Sequence, residues 1–275
     1  MIKEISKLKV DPLTLDAEIV KDGLTAISSL TDKEPYFVVG GTAVQSYLPT
    51  NCRRPTSDID ICMVRPLNYQ DFLEMSKPVV EQLSDSGYSI VSKKGHRAFK
   101  LEIASQYDDN LLIEFSRRNQ NSFDHCKNTL ERELNYCKRK IVESRDSQYF
   151  VSSSEDIIIP KLVRNIHSLM KNPLFAKYLS KPERISSDGD VKEKLKKIRL
   201  LRKRSMANSS NAEFFEELKF LSDLYDIQLL SEIVGINLEY FKESSKEWDA
   251  IATPSPERDL FFNTIVPVPN SYQLF

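Results

Sequence analysis

The sequence predicts an α/β fold, with a catalytic-type domain on a small mixed sheet over residues 1–150 and a mainly helical domain over 151–275. Three observations predict it. Phe37-Val38-Val39 runs apolar into Gly40-Gly41, and a second apolar run, Ile61 to Val64, follows after a short helix-like segment. Further apolar runs at Tyr88–Val91, Ala98–Ala104 and Leu111–Phe115 are separated by turn chemistry at Lys93-Lys94-Gly95-His96 and Gln106–Asn110. Beyond residue 150, apolar residues recur mainly at helical spacing.

Taken in order, residues 1–12 read as an irregular lead. Leu13–Leu30 reads as a helix on Leu15, Ile19, Leu24, Ile27 and Leu30, weakened by Gly23. Thr42–Leu48 is a short helix stopped by Pro49. Asn68–Ser86 carries Phe72, Met75, Val79, Val80 and Leu83 on one side; Pro78 should kink or divide it, and Gly87 closes it. Ser122–Glu143 is polar with a sparse stripe of Leu130, Leu134 and Ile141, a surface helix or inserted arm. Its Lys138-Arg139-Lys140 run is a solvated face or a nucleic-acid contact.

Ser152–Asp156 is a helix-start signature for a helix reaching about Met170, in which Pro160 removes a hydrogen bond and should kink the helix. Residues 172–190 form a connector. Lys192–Arg204 is the most basic run, with Leu195, Ile198 and Leu201 as its buried side; it reads as an exposed helix face or as a surface for a polyanion such as tRNA. Ala212–Ile236 is a strong amphipathic helix or pair, with Phe214, Phe215, Leu218, Leu221, Leu224, Tyr225, Leu229 and Ile233 as its core. From Thr253 the tail has four prolines and little periodicity, so it should wrap the body or dock a partner.

Composition narrows the function. With 275 residues, 40% of them hydrophobic, the chain can bury a real core. A formal net charge of −1 excludes a global basic field of the kind that attracts nucleic acid, and leaves only local patches. No stretch reaches the length of a membrane span, and MIKEISKLKV is too polar for a signal peptide, so a cytoplasmic location is expected. Cys52, Cys62, Cys126 and Cys137 show no CxxC spacing and are expected as free thiols; with His125 they fit no familiar zinc pattern.

The chemistry concentrates between Tyr36 and Met63. Glycines at a strand end let the backbone turn sharply and approach a ligand closely. Amides at the start of the helix that follows favour an anion. Asp58 and Asp60 are two apart on a strand, so both carboxylates share one face while Ile59 and Ile61 share the other. Two carboxylates beside a phosphate cradle are what a pair of Mg²⁺ ions (or Mn²⁺) holding a triphosphate requires. Leu112-Ile113-Glu114-Phe115 places one carboxylate in an apolar strand, and Leu101-Glu102-Ile103 has the same form. Arg117 and Arg118, just past the last strand, reach phosphates or simply solvate a turn.

This segment resembles the signature of the DNA polymerase β-like nucleotidyltransferase superfamily: strand, Gly-Gly, helix, then Asp-x-Asp on the next strand. Gly40-Gly41-Thr42-Ala43 followed by Arg54, Thr56, Asp58 and Asp60 resembles the abortive-infection (AbiEii-type) nucleotidyltransferases, many of which are toxins of bacterial toxin–antitoxin pairs. The resemblance implies transfer of a nucleoside monophosphate from an NTP to an acceptor hydroxyl, with Asp58 and Asp60 as metal ligands. It implies a third carboxylate from a later strand, for which Glu114 and Glu102 are the candidates. It implies that Gly40, Gly41 and Thr42 cradle phosphates, and that Arg54 and Thr56 brace the Asp-bearing strand or touch phosphate. Lys161, with Arg164 on the same face, matches a family lysine sent to the nucleotide phosphates, and Pro160 departs from that pattern. The family's later basic segment and Asp have two placements here, Lys219 with Asp223 or Arg184 with Asp188 or Asp190. The implied acceptor is a tRNA 3′ end, with a cognate antitoxin as partner. A protein hydroxyl, an aminoglycoside-like small molecule, or a non-catalytic interaction role are the alternatives.

Overall fold

The structure, a computed structural model, describes residues 13–107, 109–179, 188–207 and 212–264; the expected lead at 1–12 and the end of the tail lie outside the described residues. The chain divides into two compact units. The first comprises residues 1–46 and 53–153, the second 47–52 and 154–275.

In the first unit the chain runs α1 (Glu18–Ser28), β1 (Tyr36–Val39), α2 (Gly40–Gln45), β2 (Asp58–Met63), α3 (Tyr69–Asp85), β3 (Ser89–Lys94), β4 (Ala98–Ala104), β5 (Asn110–Ser116), α4 (Gln120–Tyr136), β6 (Lys138–Ile141) and β7 (Gln148–Val151). The strands form one mixed sheet in the order β3-β4-β5-β2-β1-β7-β6. β1 is antiparallel to β2 and parallel to β7, while β2 is parallel to β5.

The sheet is larger than the sequence suggested. The Lys138-Arg139-Lys140 run lies in β6, at the sheet edge, and not on a helix or arm as expected for Ser122–Glu143. A short strand of charged side chains is a common way to guard an edge against pairing with another chain. Its partner β7 has only four residues, too few for an alternation to stand out.

The alternating β2, β4 and β5 present two faces. Ile59, Ile61, Phe99, Leu101, Ile103, Leu111, Ile113 and Phe115 are buried on one. Helices α1 and α3 pack against the sheet. Gly23 allows the close approach of α1: a Cβ there would meet Leu111 Cδ2 at 2.7 Å, so the residue that weakens the helical pattern is the one that seats it. Phe72 of α3 stacks on Phe99 with centroids 5.1 Å apart and meets Phe115 edge-on at 5.5 Å. Asn68 caps α3, its side chain accepting from the Asp71 amide at 3.0 Å. Pro78 is accommodated inside this one helix, which is not divided.

The second unit is helical: α5 (Ser154–Lys171), a 3₁₀ turn (Pro173–Tyr178), α6 (Asp188–Ala207), α7 (Ala212–Leu229), a π-helical turn (Leu230–Val234), α8 (Leu238–Ser245), α9 (Asp249–Ala252) and α10 (Pro256–Thr264). Pro160 lies within α5, which continues through it. Of the expected core of residues 212–236, Leu218, Leu221, Leu224, Tyr225 and Leu229 are buried, whereas Phe215 and Ile233 are exposed. The start of the tail is also helical where no periodicity was apparent. Phe261 and Phe262 of α10 are buried, with ring centroids 6.0 Å from Phe220 and 6.3 Å from Phe241. Two adjacent anchors on a nine-residue helix are too few to make a periodic pattern. Among the described residues, no helix is long and apolar enough to cross a membrane.

Candidate active site

The polar face of the sheet in the first unit carries the candidate residues. β2 and β5 are parallel and in register, with Asp58 opposite Leu112 and Asp60 opposite Glu114. On the other side of β2, Val39 pairs with Asp60, so the chain leaves β1 into Gly40 beside that carboxylate. Side chains of directly paired residues share a sheet face. Asp58, Asp60 and Glu114 are therefore on one face of two neighbouring strands, half-buried, above the apolar layer.

Gly40 and Gly41 are required by this arrangement. Gly40 has φ +71°, a left-handed conformation, and a Cβ on it would lie 2.3 Å from Asp60 Oδ2. A Cβ on Gly41 would lie 2.7 Å from Thr56 Oγ1 and 3.5 Å from an Arg54 guanidinium nitrogen. The backbone after β1 thus runs in contact with Asp60, Thr56 and Arg54. Thr42 is buried and its hydroxyl donates to the Asp58 carbonyl at 2.7 Å, so its side chain fixes β2 and only its backbone is left for a ligand. The Thr56 hydroxyl donates to Asp58 Oδ1 at 3.1 Å. Thr56 is itself pinned by a two-way backbone bridge to Leu13, at 2.7 and 2.8 Å. Arg54 is buried beside Gly41. Arg53 serves the scaffold, bonding Asp16 at 2.8 Å and Glu143 at 2.6 Å.

Register distinguishes the two candidates for a third carboxylate. Glu114 is Asp60's direct neighbour, whereas Glu102 pairs with Leu112 on β5 and Val91 on β3, one strand further from Asp58. Glu102 is ion-paired with Lys93 at 2.6 Å. Glu114 pairs with Lys100, its register partner on β4. Lys100 was missed in the sequence because a single lysine in an alternating strand reads as solvent-facing; only the register aligns Lys100, Glu114 and Asp60 in one row.

Further along β2 the same face is closed. Cys62 and Val64 are buried with Phe37 under Phe123 and Leu130 of α4. Burial pushes the Cys62 thiol up to about 11, so it stays protonated and inert. Arg118 is structural: it donates to Ser116 Oγ at 2.7 Å and to the Met63 carbonyl at 3.2 Å. Arg117 lies over the Phe99 ring, 5.6 Å from its centroid.

Hard-oxygen chemistry on this face suits Mg²⁺, which binds through one or two carboxylates and completes its shell with water and phosphate oxygens. The missing Cβ of Gly40 is the structural sign of fit, since it leaves the Asp60 carboxylate its room at the strand end. Among the described residues no three His, Cys, Asp or Glu side chains close into a ready-made metal cage, and a Mg²⁺ bound partly by substrate needs none.

The other expected residues are in the second unit. Lys161 is 3% exposed, with Nζ 2.9 Å from Asp223 and 2.8 Å from Asp226, both of which are fully buried. Arg164 grips Asp223 through two nitrogens, at 2.9 and 3.1 Å. Burial by itself would raise the Asp223 carboxyl; Lys161, Lys219 and Arg164 instead hold it well below the usual carboxylate range. Asp156 accepts from Tyr240 at 2.7 Å and Ser244 at 3.1 Å, tying α5 to α8. Asp188 opens α6 and Asp190 lines a cavity there, while Arg184 lies outside the described residues.

By its sheet and helices the protein is of the α/β class, with a mixed seven-stranded sheet in one unit and helices in the other. No family model matches the chain. No curated protein matches it. Among solved structures it is similar to an antigenic nucleotidyltransferase-like protein from Paracoccidioides brasiliensis, with 17% identity, 72% of this chain and 94% of that chain covered, and a TM-score of 0.40.

Proposed function

We propose that the protein is a metal-dependent nucleotidyltransferase that moves a nucleoside monophosphate from an NTP to an acceptor hydroxyl. The observation that carries this reading is the register of Asp60 beside Glu114, with Asp58 on the same face and the Gly40-Gly41 backbone against Asp60. The acceptor oxygen forms a bond to the α-phosphorus; the bond from that phosphorus to the bridging oxygen breaks, and pyrophosphate leaves with the electron pair. Asp58 and Asp60 hold Mg²⁺, with Glu114 as third carboxylate, orienting the acceptor or taking its proton. When bound, Mg²⁺ supplies charge neutralisation at the phosphoryl oxygens. The Gly40-Gly41-Thr42 backbone receives the distal phosphates, and Thr56 fixes the Asp58 carboxylate.

Among cations, we assign phosphate neutralisation to Arg54, beside Gly41, and to Lys100, on the carboxylate row. The ammonium of Lys161 is already matched by two buried carboxylates, so we give it a structural role, with Arg164 beside it. For the acceptor we propose RNA, at a tRNA 3′ end, in a toxin-like enzyme of a toxin–antitoxin or phage-defence system with a cognate antitoxin. Its support is the Arg54, Thr56, Asp58, Asp60 pattern.

The test incubates the full chain with each α-³²P-labelled NTP, Mg²⁺ and total tRNA. Label is expected on RNA and in none of the EDTA controls. Label on protein would redirect the acceptor, and NTP binding without transfer to either would point to a small molecule. Failure to bind any NTP would leave a fold without the chemistry.

Register also predicts an unequal pair of variants. Glu114→Gln is expected to lower transfer by about a hundredfold, the lower range for removing one positioned proton-transfer group. Glu102→Gln, off the row, is expected to change it less than threefold. Equal losses in a steady-state assay would remove Glu114 from the site.

A further inference from the structure

The most basic segment of the chain folds as α6, and its charges are sorted by face. Val191, Leu195, Ile198 and Leu201 are buried against the rest of the helical unit. Lys192, Lys196, Arg199 and Lys203 are all exposed, spaced four, three and four residues apart, which aligns them along one side of a 3.6-residue helix. They span about 16 Å. Lys197 and Arg204 widen the exposed arc, and Glu193 is the acid within it. Among the described residues none of the four aligned cations makes an ion pair. Their mutual repulsion has no structural return, so a multiply charged anion would relieve it.

A cavity of about 230 Å³ opens on the next side of the same helix. Ile198, Leu221 and Leu224 form its apolar lining, and its charged groups are Lys177, Lys194 and Lys197 with Asp190 and Glu193. The Tyr178 ring in its wall has the Lys197 and Lys177 ammoniums 4.5 and 4.8 Å from its centroid, and its hydroxyl is tied to Glu217.

We propose that this face of α6, with the cavity beside it, is a docking surface for a single-stranded stretch of RNA. The aligned cations track the phosphates, and the apolar and aromatic cavity receives one unstacked base. Regularly spaced charge of one sign matches a phosphate backbone better than the mixed surface of a protein. A membrane is the poorer match, because the apolar side of α6 is buried and, among the described side chains, only Leu200, at 50% exposed, remains to insert. The ligand class rests on the proposed transfer to RNA, but the surface stands on its own geometry.

The test measures fluorescence anisotropy of labelled tRNA with the full chain, without NTP, across salt concentrations. The variant combines Lys192→Gln, Lys196→Gln, Arg199→Gln and Lys203→Gln; the control combines Lys77→Gln and Lys127→Gln, which are exposed on other helices. The quadruple variant is expected to bind at least tenfold more weakly and to flatten the log–log salt slope by about 3, from four lost phosphate contacts on a single strand. Mg²⁺-NTP binding and thermal stability should match the parent. Blunt duplex RNA should compete less well than tRNA. An unchanged affinity and slope overturns the proposal, as does equal competition by blunt duplex. Equal competition by polyglutamate of matched charge also overturns it, assigning the face to an acidic protein. Tight α6-dependent binding without label transfer to RNA would sink the reading of RNA as acceptor and leave the RNA surface standing; transfer with an unaltered tRNA KM in the quadruple variant would do the reverse.

Discussion

Asp60→Asn is expected to slow nucleotidyl transfer by about a thousandfold or more with almost no loss of thermal stability. The two expectations have one cause. Asp60 sits between Val39 on β1 and Glu114 on β5, with Asp58 two residues away on the same face. Asp60 is half-buried, so an amide of the same shape can replace its carboxylate with little cost to the fold. Removing it does cost the reaction, because charge on the transferring phosphoryl group loses several kcal/mol of stabilisation, and about 4 kcal/mol is a factor of a thousand. Asparagine preserves the volume that Gly40 makes room for, which keeps the comparison clean. The check is a label-transfer rate beside a calorimetric Tm. A variant that transfers at the parental rate would end the assignment, and a fall in Tm with the rate would place Asp60 in the scaffold.

The motif half of this site was legible because it is local. Val39, Gly40, Asp58 and Asp60 announce a strand end, a tight backbone and two carboxylates on one face through spacing alone. What the sequence left open was set by pairing. Glu102 and Glu114 have the same apolar-acid-apolar surroundings, and only the parallel register of β2 with β5 separates them. Lys100 was invisible for the same reason. The helical unit was legible as helices but not as to their partners: Lys161 reads as a surface or phosphate-seeking cation until α7 places Asp223 and Asp226 against it. Phe215 and Ile233 fit the apolar pattern and are nonetheless exposed, since periodicity fixes a stripe but not its width.

The second large effect is on stability. Lys161→Met is expected to destabilise the helical unit by about 3–5 kcal/mol, because it removes the ammonium shared by two fully buried carboxylates and leaves Arg164 on Asp223. At roughly 2–4 °C per kcal/mol for a chain of this size, Tm should fall by about 10 °C. The pH dependence tells this from a simple loss of packing. In the parent, Asp223 is held below its unfolded value, so its contribution is complete above about pH 4 and is lost as pH falls below that. Without Lys161 the burial that weighs against Asp223 is opposed by Arg164 and Lys219 alone, raising its carboxyl, so the variant can take up a proton there at mildly acidic pH. The gap in stability between parent and variant should therefore narrow as pH is lowered from 7 towards 4. Adding Asp226→Asn to Lys161→Met should recover part of the loss at pH 7, with Arg164 left to hold Asp223. A gap independent of pH, measured by denaturant titration of both proteins, would mean that the lysine stem rather than its charge was holding α5 to α7.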